Sequence, residues 1–446
     1  MIGIVMFGAA LLLLVVGFPV AFTFGAVSIF FGAISAWFEI VPDGGTVLEF
    51  YEEFLSMFSM MPFRIYAIMT NKILMAVPLF IFMGIILQKS ELAERMLESM
   101  GTLFGKVRGG LAISTVLIGA LLAASTGVVG ASVVAMGVIS LPVMLNNGYS
   151  KSLSCGTICA AGTLGQIIPP SIVLIVLADV FQLPVGDLFK AAVMPGLMLV
   201  GVYITYILIV AFLYKDKAPA MQIDTSVSRG ANIKKALFSI IPPLTLIVLV
   251  LGSIFAGIAT PTESASLGAL GSLLLAAMYG KIRYNMVKEA SLETVKTTAM
   301  VFAILIGATA FSMVFIYSGA DEIVEAFMTT LPGEKWGFLI LSMLIIMFLG
   351  FFIDFIEISY IVVPILLPIA QTIGIDPLWF AILIALNLQT SFLTPPFGFS
   401  LFYLKGVAPP NIHTTDIYRG VMPFIALQVL VLASIVIFPD FYGFGG

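Results

Sequence analysis

Between Ala160 and Ser171, an apolar stretch long enough to cross a bilayer carries Gly162, Gly165 and the adjacent pair Pro169-Pro170. Glycine disfavours helix, and proline lacks an amide hydrogen and clashes with the preceding turn, so no unbroken helix can run through this stretch. The pattern returns in Gln389-Thr390-Ser391-Phe392-Leu393-Thr394-Pro395-Pro396-Phe397-Gly398. Backbone groups freed inside hydrocarbon are tolerated only where protein buries them or where they line a polar cavity. Two such breaks, one in each half of the chain, point to a binding site built from discontinuous helices.

The rest of the sequence is membrane material. Hydrophobic residues make up 61% and charged residues 10%, with a mean hydropathy of +1.16. Soluble domains carry about 25% charged residues. A span takes about 20 apolar residues, so the chain has room for about ten to fourteen spanning or re-entrant segments. The long unbroken runs exclude a barrel, whose strands alternate. A net charge of −4 implies no nucleic-acid partner. Met1–Ala10 holds no Lys or Arg and the apolar run continues past Pro19, which favours a retained first helix over a cleaved signal.

Short matches recur at a nearly constant spacing. Gly148 and Gly374, like Pro169-Pro170 and Pro395-Pro396, lie 226 residues apart, and Val193-Met194-Pro195 returns 228 residues on as Val421-Met422-Pro423. The chain therefore reads as a first repeat (1–217), a polar linker (218–235) and a second repeat (236–446). At this spacing the small polar break Ser125-Thr126-Gly127 falls opposite the turn between Gly350 and Asp354. The first Val-Met-Pro helix ends in Lys215 and Lys217, whereas its counterpart starts at Arg419 and has no later Lys or Arg. Positive residues mark the cytoplasmic side, so the repeats are expected to be inverted, with the linker and the loop Lys281 to Lys288 inside.

Individual residues weigh differently. Asp354 and Glu357 are carboxylates deep in apolar sequence, which is costly and points to function, although Asp354 at headgroup level is the alternative. Glu263, three residues after Thr260, fits a capping box. Ser125 and Thr126 can bond back to their own helix, and their position in both repeats favours a re-entrant tip instead. Cys155 and Cys159 read as small packing residues, and His413, the single histidine, cannot found a metal or catalytic cluster. No hydrolase elbow, zinc-protease motif or phosphate loop occurs, which removes intramembrane hydrolases of those types and ATP-driven pumps. An acid/base pair of Asp354 and Glu357 lacks an accompanying nucleophile or metal set, so an enzyme is disfavoured.

The stretches Ala76-Val77-Pro78-Leu79-Phe80-Ile81-Phe82-Met83-Gly84, Ala160 to Ser171, Gly257-Ile258-Ala259-Thr260-Pro261-Thr262-Glu263-Ser264-Ala265 and Thr394-Pro395-Pro396-Phe397-Gly398 together resemble the large membrane (M) subunit of tripartite ATP-independent periplasmic (TRAP) transporters, of the dicarboxylate/sialate type. They are spread over nearly the whole chain. The resemblance implies an all-α multi-pass protein of the bacterial inner membrane, with inverted repeats, re-entrant hairpins and broken helices arranged as a scaffold plus an elevator-type transport domain. It implies sodium-coupled uptake of an organic acid delivered by a periplasmic binding protein, with a small four-helix membrane subunit as partner. A standalone sodium/divalent-anion symporter shares this plan and is the competing reading.

Sodium prefers oxygen ligands, which unwound helices supply as carbonyls. Ser125, Thr126 and Gly127 are therefore expected to face Gly162, Thr163 and Gly165 across one ion. Gly350, Phe352 and Asp354 are expected to face Thr390, Ser391 and Thr394 across another. Glycine at 162 and 165 is expected to serve backbone conformation and close approach. The organic acid is expected near Gln166, Pro169 and Pro170 from the first break and Pro395 and Pro396 from the second.

Overall fold

The computed structural model describes residues 1–40, 44–104, 107–126, 129–221 and 229–444. Every regular element among them is helical. Seven of the described helices are long and apolar enough to cross a membrane, or eight if one bent pair counts as a single span. Shorter apolar helices such as Ile2–Val16, Lys335–Leu349 and Pro377–Leu393 accompany them. By contacts the chain forms two units, Met1–Leu74 with Lys296–Pro377, and Met75–Val295 with Leu378–Gly446. Each unit thus takes segments from both halves of the sequence.

In the first unit, Gly17-Phe18-Pro19 separates two helices, Ile2–Val16 and Val20–Ile40, which pack on each other. Gly17 adopts φ 100°, a left-handed cap open to glycine, and its amide donates to Leu14 O at 2.9 Å. The mixed stretch that follows forms Val47–Phe58, started by a capping box between Thr46 and Glu49, and Met61–Thr70. Phe311 sits between Phe7 and Phe24, with ring centroids 6.2 and 5.2 Å away, and holds the first helices to the 296–317 segment. The helix Lys335–Leu349 turns at Gly350–Asp354 and continues as Phe355–Glu357, a wide turn Ile358–Val362, and Val363–Thr372.

The second unit is organised around Lys151–Thr163. Leu153 to Thr163 are all buried, as a helix surrounded on every side requires. The helices Gly110–Thr126 and Val129–Asn146 pack on each other and on this helix, and Thr414–Ile437 crosses it on another side. Small residues let the backbones approach. A Cβ added to Gly119 would lie 2.5 Å from Ala161 Cβ, and one added to Gly156 would lie 2.1 Å from Gly420 O. The expected capping box at the start of Pro261–Met278 is present: Thr260 N donates to Glu263 Oε2 at 2.8 Å, and Glu263 N to Thr260 Oγ1 at 3.3 Å. The second repeat, expected from Ala236, opens on a helix that begins earlier, at Arg229, inside the expected linker, since Arg229, Ala231, Lys234 and Lys235 are good helix formers. Residues 222–228 of that linker lie outside the described residues.

Ion pairs fasten one rim of this unit. Lys89 pairs with Glu293 at 2.9 Å and Glu289 at 3.3 Å, Lys281 pairs with Glu91, and Arg95 lies over the Tyr279 ring. The hydrogen bond from Lys281 holds the exposed Glu91 carboxyl below its ordinary range. A depressed carboxyl stabilises the fold above its unfolded pKa, and the contribution is lost as pH falls through the lower, folded value. Solvent screening limits it to less than about 1 kcal/mol. Glu91→Gln is therefore expected to lower the melting temperature slightly at pH 7 and to match wild type in acid below the carboxylate range, which paired melts at the two pH values would check.

Candidate substrate and ion site

Both sequence breaks are breaks in the fold. The helix Lys151–Thr163, capped by Ser150, tightens into the single turn Leu164–Gln166 and stops, and Ile172–Val180 begins after Pro169-Pro170. The helix Pro377–Leu393 stops before Pro395-Pro396, and Phe399–Val407 follows. Both proline pairs are joined by cis peptide bonds. Ser171 Oγ donates to Gln166 O at 2.8 Å across the first break, and Ser400 Oγ donates to Phe392 O at 2.7 Å across the second. Gln166 and Phe392 stand 226 residues apart, the spacing of the proline pairs themselves. Each break thus has a carbonyl tied by a serine just beyond it. A Cβ on Gly398 would lie 2.6 Å from Phe392 O, so the Pro-Pro-Phe-Gly sequence needs glycine for the chain to pass its own carbonyls.

The hydroxyls of Thr163, Thr390, Ser391 and Thr394 are buried or partly buried, and all four donate backward. Thr163 Oγ1 bonds to Ala160 O at 2.9 Å, Thr390 Oγ1 to Leu386 O at 2.8 Å, Ser391 Oγ to Leu388 O at 2.7 Å and Thr394 Oγ1 to Thr390 O at 2.7 Å. A hydroxyl whose hydrogen is used in this way still has oxygen lone pairs to offer a cation. Gly162 meets the close-approach expectation, since a Cβ there would lie 2.4 Å from Val133 Cγ2. The conformational expectation fails. Neither Gly162 nor Gly165 is in the left-handed region; they sit in ordinary helical and tight-turn backbone.

Gln166 is wholly buried, and neither polar atom of its side chain has a partner in the protein. Such an orphan costs about 1–3 kcal/mol unless something else satisfies it. Pro169 lines an apolar cavity of 430 Å³, bordered also by Leu117, Ile168, Val193 and Leu244, so its face is suited to hydrocarbon and not to a carboxylate. Pro170 is buried, Pro395 half-buried and Pro396 exposed, with its carbonyl accepting from Tyr418 Oη at 3.0 Å. Gly127 lies outside the described residues, and Ser125 and Thr126 are placed only as the last residues of Gly110–Thr126.

Thr390, Ser391 and Thr394 belong to the second unit, and Gly350, Phe352 and Asp354 to the first. Within the first unit, Asp354 is the N-cap of Phe355–Glu357, accepting from Phe355 N at 2.7 Å. Glu357 is 2% exposed, with Oε2 lacking a protein partner. Sequence reasoning missed Gln389, which is wholly buried with both amide atoms unpaired, and Gln428, whose Nε2 donates to the buried Tyr203 Oη at 2.8 Å. The available signal was a lone glutamine in the apolar run Ile425-Ala426-Leu427-Gln428-Val429-Leu430. No Lys or Arg is buried among the described residues. Nor does any group of three or more His, Cys, Asp or Glu suited to a metal ion occur among them.

Residues 7–441 match the family model described as the tripartite ATP-independent periplasmic transporter, DctM component. The chain is 34% identical over 367 residues to the C4-dicarboxylate TRAP transporter large permease protein DctM of Pseudomonas aeruginosa, covering 82% of this chain and 84% of that protein. It is 30% identical over 433 residues to the isethionate TRAP transporter permease protein DctMQ of Oleidesulfovibrio alaskensis, covering 96% of this chain and 64% of the relative. It is 29% identical over 378 residues to the sialic acid TRAP transporter large permease protein SiaM of Vibrio cholerae, covering 83% and 85%. In fold it is similar to the YdaH transporter of Alcanivorax borkumensis, with a TM-score of 0.64, 14% identity and coverage of 97% and 98%. The chain belongs to the TRAP transporter family as a DctM-type large permease, a multi-pass membrane transporter subunit and not an enzyme, which takes up carboxylates or other organic solutes together with a periplasmic binding protein.

Proposed function

We propose that this permease couples sodium entry to uptake of an organic acid across a bacterial inner membrane, through a site at its two helix breaks. The observation that carries this reading is the polar lining of those breaks. Thr163, Gln166, Thr390 and Ser391 are buried in an apolar unit in which no described Lys or Arg is buried. An organic anion entering such a place needs positive charge, and broken helix ends supply only part of it. A sodium ion travelling with the acid supplies the rest.

One ion is held by carbonyls and hydroxyls of Gly162, Thr163 and Gly165 with Ser125, Thr126 and Gly127. Thr390, Ser391 and Thr394 offer a second set of oxygens, and the turn Gly350, Phe352, Asp354 offers carbonyls and a carboxylate of its own. The acid sits beside Gln166, Pro170 and Pro395. The division into two units supports elevator transport, in which the unit bearing the two breaks carries the cargo. Orientation has support too. Gly109 N donates to Ala218 O and Ser150 N to Lys217 O, which gathers Arg108, Lys151, Lys215 and Lys217 at one end of that unit, and we assign this end to the cytoplasm.

The test is uptake in proteoliposomes containing this chain and its small membrane subunit. Labelled succinate, isethionate, N-acetylneuraminate and ectoine, the last because TeaC of Halomonas elongata is an ectoine permease of this family, would each be offered with candidate binding proteins. Sodium-driven accumulation of one of them only when a binding protein is present is the expected result. Full uptake by the chain alone would overturn the tripartite reading in favour of a standalone symporter.

A further inference from the structure

A buried polar chain includes a residue of the helix that ends at the second break. Tyr203, on Val185–Leu213, and Gln428, on Thr414–Ile437, are joined by the Gln428 Nε2 to Tyr203 Oη bond of 2.8 Å. Tyr203 is 0% and Gln428 1% exposed, and the Phe424 ring braces Tyr203 edge-on at 5.1 Å. The Gln389 carboxamide, on the helix that ends at the second break, faces the same hydroxyl. It is 0% exposed, and neither of its polar atoms reaches hydrogen-bonding geometry with a protein group. Polar groups buried this deeply are almost always paired, so one left open next to a helix break points to a missing ligand.

We propose that Gln389 is a direct contact for the transported acid, and that Tyr203 and Gln428 are positioning residues acting through it. The direction of the hydrogens supplies the chemistry. The Tyr203 oxygen accepts from Gln428 and keeps one hydrogen of its own to give. Gln389 lies on the donor side of the same oxygen, and its Nε2 group keeps a hydrogen free for an acceptor. An amide hydrogen suits an oxyanion. Gln389 therefore binds an oxygen of the acid's carboxylate or sulfonate through that hydrogen. Gln166, the other orphaned carboxamide, comes from the opposite half, so each break contributes one neutral amide where a Lys or Arg would hold the anion too tightly to release it.

This inference rests on the proposed function, and the experiment separates the two. In the reconstituted complex, the binding protein loaded with whichever of the four labelled acids wild type accumulates is titrated against Gln389→Leu, Gln389→Asn, Tyr203→Phe, Gln428→Leu and the double variant Tyr203→Phe/Gln389→Leu. Expected results are a fall in maximal uptake of about tenfold for Gln389→Leu and about threefold for Tyr203→Phe and Gln428→Leu, as loss of one or two hydrogen bonds predicts. The half-saturating concentration of binding protein and the sodium dependence stay unchanged. The double variant is no slower than Gln389→Leu alone, because Tyr203 acts only through that side chain, whereas independent packing defects would multiply. Gln389→Asn keeps the amide and stands in should the leucine variant fail to fold. Wild-type maximal rates for both Gln389 variants, a multiplicative double variant, or an effect confined to half-saturating sodium would each overturn the proposal. Failure of wild type to accumulate any of the acids would instead count against the proposed function.

Discussion

Gly420→Val is expected to leave almost no folded permease, with the yield of monodisperse protein falling by more than about tenfold, since overpacking a well-packed interior costs at least 1–3 kcal/mol. The cost here lies above that range because the obstruction is backbone. A Cβ at Gly420 would stand 2.1 Å from Ser152 O and 2.9 Å from Gly156 N, and one at Gly156 would stand 2.1 Å from Gly420 O. Neither partner can swing away as a flexible side chain would, for both are backbone atoms of Lys151–Thr163, a helix buried from Leu153 to Thr163. Domains hold a net stability of only about 5–15 kcal/mol, so a clash relieved only by separating Lys151–Thr163 from Thr414–Ile437 uses much of it. Gly201→Val is the control, because a Cβ at Gly201 meets nothing within 4 Å, and it is expected to express like wild type. Normal yield and melting of Gly420→Val would show that the two helices do not cross at this point.

Replacing sodium by potassium is expected to abolish uptake, and Thr163→Ala and Thr390→Ala are each expected to raise the half-saturating sodium concentration by about 5- to 30-fold, the effect of about 1–2 kcal/mol per lost ligand. The hydroxyls already bond to Ala160 O and Leu386 O, so alanine costs little helix stability while removing an oxygen from the ion's surroundings. Serine at either position keeps that oxygen and is expected to restore wild-type sodium dependence. Assembly with the small membrane subunit is expected to be unchanged. Wild-type sodium curves for both alanine variants, or equal uptake in potassium without a proton gradient, would reduce these threonines to packing residues.

Features whose cause is local were legible in the chain. Apolar excess determined the membrane class, Gly17 and the two proline pairs determined where helices stop, and the spacing of Thr260 and Glu263 determined a capping box that the fold contains. Each depends on a few consecutive residues, whose propensities act wherever the segment lies. Only the tertiary structure decided that Gly156 meets Gly420, that Gln428 reaches Tyr203 across 225 residues, and that Gln166 and Gln389 are left without protein partners. It also decided that Gly162 is needed for space at Val133 and not for an unusual backbone, and that contacts group the chain into units drawn from both halves. In a membrane helix, small and polar residues read the same whether they face lipid, a partner helix or a ligand. Which of these they face is set by neighbours hundreds of residues away, and that information exists only once the helices have packed.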